Sequence, residues 1–340
     1  MQQPRNTRSF SELFVGFDKT IRHYAYDRPR AYLHTLRKKF ENLPETNFTL
    51  GCSFAEQGKW LDAAFRFRLA IYLKPDFTQA HYNLGCCYAQ LNKLPQAVAS
   101  FNKALTLKPE HEDARFMLAG LTPNAPQPRA MPHGMVAGFF AHIAPEYDAL
   151  AETNEYQGPR LIMEAAKPYL TKLADMHYLE LGCGTGLVAR PWRGMCREVL
   201  GVDVTPAMVA AAQVARAGDN PVYDRVLQAD INSIPAGTFM PNVTDIVVCC
   251  DTAQYLGELT PLLKTASATL APGGLFLLTV EPFAAPQGYA VNRATARFGH
   301  NPDYVRKLAL AHGLELKRDG KVPLYAHQPA HLFVFAKKVA

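Results

Sequence analysis

A chain of 340 residues, 48% hydrophobic and 19% charged, is long enough for two domains with sizeable cores and too apolar for a disordered protein. No apolar run is long enough to span a bilayer, and the start, MQQPRNTRSF, lacks the apolar stretch and small-residue cleavage site of a secretory signal. The net charge of +6 is gathered in residues 1–40, where nine Lys/Arg stand against Glu12, Asp18 and Asp27, and the remainder is neutral overall. Seven cysteines include the adjacent pairs Cys86-Cys87 and Cys249-Cys250, a spacing that suits neither a disulfide framework nor a CxxC metal site. A reducing cytoplasm and no metal are expected.

Residues 1–46 read as a basic helical segment. Phe10, Leu13, Phe14, Phe17 and Ile21 form an amphipathic stripe, and Ser9 with Glu12 fits a capping box at its start. Its charge reads as the solvated face of helices, so nucleic-acid binding is not expected. From 47 to 121 a repeat is legible: Leu50, Gly51, Phe54, Ala63, Phe67, Ala70 and Pro75 recur 34 positions later as Leu84, Gly85, Tyr88, Ala97, Phe101, Ala104 and Pro109. This pattern resembles the tetratricopeptide repeat, a helix-turn-helix unit. The small residues let paired helices approach, and the prolines stop the second helices. Residues 111–121 look like a capping helix for the array. Two units are fewer than a solenoid needs, so residues 9–42 are expected to add a degenerate pair, or the array to lean on its neighbour. Such arrays imply a protein or peptide partner; the plainer alternative is packing against the rest of the chain.

Residues 122–133 (TPNAPQPRAMPH) hold four prolines, which predicts an extended linker and a domain boundary. The domain over 134–340 opens with two helical stripes. Phe139, Phe140, Ile143, Tyr147 and Leu150 form one, interrupted at Pro145; Leu161, Ile162, Ala165 and Tyr169 form the other. They precede the first strand and are placed to cover a site, where Tyr147 and Asp148 either reach a ligand or anchor the packing. Strand-like runs at 177–181, 198–203, 225–229, 245–250 and 274–280 then alternate with helical patterns at 187–193, 206–216 and 258–270. Such alternation predicts an α/β fold, a parallel sheet wrapped by helices on both faces. Runs at 313–318 and 332–337 suit an antiparallel hairpin on the sheet edge.

The site is expected beyond the carboxyl ends of the strands. After the first comes Glu180-Leu181-Gly182-Cys183-Gly184-Thr185-Gly186, whose glycines let bare backbone approach a ligand. The helix predicted from Leu187 would aim its positive end there, suiting a carboxylate or phosphate. Asp203 follows the second strand, placed for a ribose diol, and Asp230 follows the third, placed for an adenine amino group. Asp251, Gln254 and Tyr255 follow the fourth. The loop reads G-x-G-x-G rather than the G-x-G-x-x-G of dinucleotide enzymes, and no G-K-[ST] phosphate loop is present.

ELGCGTG, GVDVTPAM, QADI and LAPGG before FLLTVE resemble, in order and spacing, the motifs of class I S-adenosylmethionine-dependent methyltransferases. Joined to tetratricopeptide repeats, the chain is similar to a bacterial group of methyltransferases that carry such repeats. One departure is Arg297-Phe298-Gly299-His300, where an aromatic, Ala and His are expected after the Arg. The resemblance implies a Rossmann-like, seven-stranded, mostly parallel sheet whose last strand is antiparallel, and S-adenosylmethionine as cofactor. It also implies a binding set. Gly182, Cys183, Gly184 and Gly186 cradle the methionine part, and Glu180 fixes the cofactor amino group. Asp203 with Val204 holds the ribose, and Met208, Asp230 and Ile231 surround the adenine. Tyr147 and Asp251 complete the set. Met208 is equally readable as simple core.

Methyl transfer from a sulfonium needs an excluded, aligned acceptor, and a base only if the acceptor must lose a proton. The candidate catalytic residues are His300, Asp251 and Tyr255. Arg297 and His300 are substrate candidates, with a salt bridge and a helix cap as their alternatives. The expected function is methyl transfer to an O or N acceptor, the repeats recognising a protein partner or substrate. The alternatives are a small-molecule enzyme docked by its repeats and a non-catalytic binding scaffold.

Overall fold

The computed structural model describes residues 43–122, 125–285, 288–326 and 328–339, so the expectations for the basic segment up to residue 42 lie outside the described residues. Two compact units follow one another, the first ending at Glu110 and the second beginning at His111.

In the first unit, helices α1 (Leu43–Glu56), α2 (Trp60–Leu73), α3 (Thr78–Gln90) and α4 (Leu94–Leu107) form two antiparallel pairs. The period extends to the backbone. Gly58 and Asn92, 34 positions apart, both take left-handed φ (70° and 56°) in the tight turns between paired helices. Lys74 and Lys108 end the second helices in extended conformation, as the prolines after them require. Gly51 lies under the Phe67 ring and Gly85 under the Phe101 ring, and Ala63 and Ala97 are fully buried.

The second unit departs from the expected boundary. Helix α5 (Glu112–Leu121), read from sequence as a cap on the repeats, belongs here: Phe116 packs edge-on against Phe298 with ring centroids 5.4 Å apart. The proline-rich segment is extended, as predicted, but it is no free linker. Gly257 N and Glu258 N donate to Arg129 O (2.8 and 2.9 Å), and Met131 N donates to Tyr255 O (2.9 Å). Proline removes only its own donor, so the backbone groups between prolines remain available to pair.

Helices α6 (His133–Ile143), α7 (Tyr147–Thr153) and α8 (Gly158–Ala166) follow, with a 3-10 turn over Ala144–Glu146 where Pro145 interrupts the pattern. The sheet then builds from β1 (Met176–Leu181), β2 (Cys196–Asp203), β3 (Arg225–Gln228), β4 (Thr244–Cys249) and β5 (Leu270–Val280), with α9 (Pro206–Val214) and α10 (Thr260–Thr269) as crossovers. A small antiparallel hairpin, β6 (Tyr289–Asn292) and β7 (Arg297–His300), precedes α11 (Pro302–Ala311). A long hairpin, β8 (Leu314–Tyr325) and β9 (Gln328–Lys337), completes the sheet.

The order is β8-β9-β5-β4-β1-β2-β3, with β1 to β5 parallel and β9 antiparallel to both neighbours. The seven-stranded, mostly parallel sheet is therefore present, its C-terminal hairpin longer than the sequence pattern suggested. The buried strands alternate between two cores. Tyr178, Val199, Ile246, Val248 and Leu277 enter one, and Leu179, Val202, Val247, Phe276 and Leu278 enter the other.

One predicted element is absent. After the glycine loop the chain makes turns and then a 3-10 helix over Arg190–Met195, not a helix over 187–193. Pro191 accounts for it: with no N–H, and with its ring against the carbonyl four residues back, it cannot sit inside an α-helix beginning at Leu187.

Candidate active site

The carboxyl ends of β1, β2 and β4 open onto a cleft of about 840 Å³, part of it open solvent. Gly182 and Gly184 (φ +84° and +51°) carry the backbone round its floor in conformations that side-chain-bearing residues rarely adopt. A Cβ on Gly184 would meet open space, so this bare edge faces the cleft, whereas a Cβ on Gly182 would collide with Thr252. Gly186 does not reach the cleft; its Cα packs toward Tyr223 and Val222. Of the residues expected to hold a cofactor, Tyr147, Glu180, Gly182, Cys183, Gly184, Asp203, Val204, Met208, Asp230, Ile231 and Asp251 all line this one cleft.

The carboxylates are held in place. Asp203 accepts from Gly184 N (3.0 Å) on one oxygen and from Thr205 N (2.9 Å) and Oγ1 (2.8 Å) on the other, which ties the end of β2 to the glycine loop. Asp230 accepts from Asn232 N (2.9 Å) and Nδ2 (3.2 Å), and its second oxygen lies 3.1 Å from His133 Nε2. Glu180 is buried beneath the loop and accepts from Tyr223 Oη at 2.6 Å. Burial pushes its carboxyl up to about 8, opposed by that hydrogen bond and reinforced by Asp203, so the group is a neutral acid at pH 7. Thr185 Oγ1 donates to Asp148 Oδ1 (2.6 Å), pinning α7 to the loop while Tyr147 beside it lines the cleft.

Several contributors carry no sequence motif. Ala130, Met131 and His133 come from the supposed linker, and Val136 and Phe140 from α6. Among the described residues, four carboxyl groups line the cleft (Glu180, Asp203, Asp230 and Asp251), and no lysine or arginine does.

A second cavity adjoins the first and shares Phe140, Tyr147, Asp251 and Tyr255 with it. Phe139, Ile143, Leu150 and Ala326 make much of its wall, with Arg297 the one cationic side chain among the described residues that line it. Asp251 stands at the seam with a left-handed φ of 55°, a strain on the order of 1 kcal/mol for a residue with a side chain. Its oxygens accept from Gln254 Nε2 (2.8 Å) and from Tyr325 Oη (2.5 Å), and burial raises its carboxyl above the ordinary range. Tyr255 is pushed up to about 12 by burial, so it stays a protonated phenol and a poor base. The guanidinium of Arg297 lies 6.0 Å from the Tyr255 ring centroid.

His300 is a correction. It lines neither cavity and is fully buried, with Nε2 3.1 Å from Gly257 O, and burial lowers it to about 4. The segment around it folds as the β6–β7 hairpin and seals the ring inside. The helix-cap alternative also passes to its neighbour, since Asn301 Oδ1 accepts from Asp303 N. Among the described residues no group of His, Cys, Asp or Glu side chains converges as a metal site would require.

Residues 179–278 match the family model described as a methyltransferase domain, and residues 78–111 match a tetratricopeptide repeat. A malonyl-[acyl-carrier protein] O-methyltransferase from Pectobacterium atrosepticum is 30% identical over 41% of this chain and 54% of its own length. A ubiquinone biosynthesis O-methyltransferase from Xanthomonas euvesicatoria is 25% identical over 47% of this chain and 69% of its own. The chain thus spans about half the length of the first of these relatives. Among solved structures, the [4+2]-cyclase SpnF superposes with a TM-score of 0.50 at 17% identity, over 63% of this chain and all of that one, a likeness of fold alone. Within this chain, residues 179–278 of the seven-stranded, mostly parallel sheet thus match a methyltransferase domain, and residues 78–111 of the helical repeats match a tetratricopeptide repeat.

Proposed function

We propose that the α/β unit transfers a methyl group from S-adenosylmethionine to an oxygen or nitrogen acceptor, and that the repeats bind a protein segment that is its partner or substrate. The observation that carries the first part is the charge of the cleft. Among the described residues, Asp203, Asp230, Asp251 and the neutral acid Glu180 meet bare glycine backbone at the strand ends, with no lysine or arginine to receive a phosphate. Such a wall fits a nucleoside whose tail is cationic and disfavours ATP or a dinucleotide.

The residues fit that ligand group by group. Gly182, Cys183 and Gly184 back its amino-acid tail, with Gly186 supporting them from behind. Glu180 ionises to meet the ammonium. Asp203 keeps one lone pair for a ribose hydroxyl, on the oxygen that accepts from Gly184 N, beside Val204. Met208, buried against the cleft, covers the adenine, whose edge Asp230 and Ile231 meet. When bound, the cofactor supplies an activated methyl group on a good leaving sulfide. The protein holds the acceptor close and keeps water out, a task suited to Phe140, Tyr147 and Tyr255.

The names of the two relatives support oxygen as the acceptor atom. The exposed residues Leu61, Phe65 and Tyr72 on α2 support recognition by the repeats. Seven free thiols suit a reducing cytoplasm, and among the described residues no helix is long and apolar enough to cross a membrane.

The cyclase neighbour shows that this fold also hosts other chemistry, so the test reads methyl transfer itself. Purified protein incubated with lysate and methyl-labelled S-adenosylmethionine is expected to deliver label to a protein band or a small-molecule fraction, and Asp203→Ala to abolish it. Label persisting in Asp203→Ala defeats the assignment. Removing residues 1–110 separates the acceptor classes: a small acceptor should still turn over, and a protein recognised by the repeats should not.

A further inference from the structure

The second cavity touches the first only through Phe140, Tyr147, Asp251 and Tyr255. We propose that it receives the methyl acceptor, that the acceptor has an apolar body presenting a neutral hydroxyl, and that Asp251 takes the hydroxyl proton. This rests on the first cavity being the donor site.

The wall sets the body of the acceptor. Phe139 and Ile143 from α6 and Leu150 from α7 face the cavity, with Phe139 and Leu150 about half exposed. Aromatic and branched side chains left in that state suit an apolar or aromatic guest.

Charge sets the reacting group. A carboxylate brought to the seam would meet Asp251 directly, a buried group that Arg297 lowers and Glu281 raises. Glu281 is itself satisfied by Asn292 Nδ2 (2.6 Å) and Thr295 Oγ1 (3.1 Å). An ammonium would pair with Asp251 but carries no lone pair for attack. A neutral hydroxyl can donate to Asp251, because Gln254 and Tyr325 occupy one lone pair on each of its oxygens and leave one free. The other proton acceptors are poorly placed: His300 is sealed in the hairpin, Tyr255 is a protonated phenol, and Glu155 lines the second cavity without lining the first as Asp251 does.

The step balances. The acceptor O–H bond breaks toward Asp251, which becomes a neutral acid, and the acceptor oxygen forms the new O–CH3 bond. The S–CH3 bond breaks with its electron pair kept on sulfur. Cation and anion are lost together, which exclusion of water by the bound acceptor favours.

The test uses the full chain saturated with S-adenosylhomocysteine and titrated with three probes: 4-butylphenol, 4-butylanisole and 4-butylbenzoate. The phenol is expected to bind at least about tenfold more tightly than the other two. Leu150→Trp, which fills the second cavity only, should weaken the phenol by about tenfold or more while S-adenosylhomocysteine affinity stays as it was. Benzoate binding best, and losing that advantage in Arg297→Gln, would overturn the proposal in favour of an anionic acceptor. So would phenol binding untouched by Leu150→Trp, or no probe binding to a complex that holds S-adenosylhomocysteine. Failure of S-adenosylhomocysteine itself to bind the wild-type chain would instead remove the donor-site reading beneath it.

Discussion

Glycine is used in two different ways in the two units. Gly51 and Gly85 are helical, and what they provide is space: a Cβ on either would sit 2.6 or 2.7 Å from the Phe67 or Phe101 ring. Gly182 and Gly184 provide conformation, with left-handed backbone against a ligand cleft. The first use is repeated every 34 residues and serves packing. The second occurs at a single loop and serves binding. A substitution to alanine should therefore damage stability in one unit and ligand affinity in the other.

The largest effect is expected at the loop. Gly182→Ala must be forced into left-handed φ against Thr252, and S-adenosylhomocysteine affinity should fall on the order of 100-fold by calorimetry. Thermal unfolding that collapses while affinity survives would erase the contrast. Gly85→Ala should do the opposite, costing the first unit about 2 kcal/mol by denaturant unfolding and leaving the ligand unaffected.

A third measurement sharpens the binding half through pH. Glu180 is a neutral acid in the free protein, raised to about 8, and must ionise to meet an ammonium. Binding should then release a proton below pH 8, seen as a dependence of the binding heat on buffer. Affinity should rise by up to about tenfold per pH unit as pH climbs toward 8. The folding linkage has the opposite sign: the raised carboxyl favours the native state below its unfolded pKa, and that contribution is lost as pH rises from 4.5 through about 8. The smallest effect is expected for Thr185→Val, which removes the bond to Asp148 and should weaken the ligand severalfold.

What was legible from sequence follows the same division. The repeats announce themselves because each unit makes the same local contacts, so one offset exposes Gly51/Gly85 and Phe67/Phe101 together. The cleft was legible where chemistry sits at strand ends, as at Asp203 and Asp230, since strand polarity alone brings them to one edge. Contacts distant in sequence were not. Nothing local in Pro128–Pro132 says that Arg129 and Met131 pair with 255–258, so a wall of the cleft was read as a linker. His300 failed for a related reason. Nothing in its flanking residues shows that the β6–β7 register turns the imidazole inward. Pro191 was in plain view and outweighed the helical pattern around it.

The acidic lining of the cleft bears on turnover as well as on recognition. The methyl donor carries one more positive charge than the thioether left after the reaction, so in the proposed complex the ionised carboxylates of the cleft would hold the spent molecule less firmly than the fresh one. Discharge of the by-product thus becomes easier at the moment it forms. An enzyme built this way can keep cycling where spent cofactor accumulates, without a separate device to eject it.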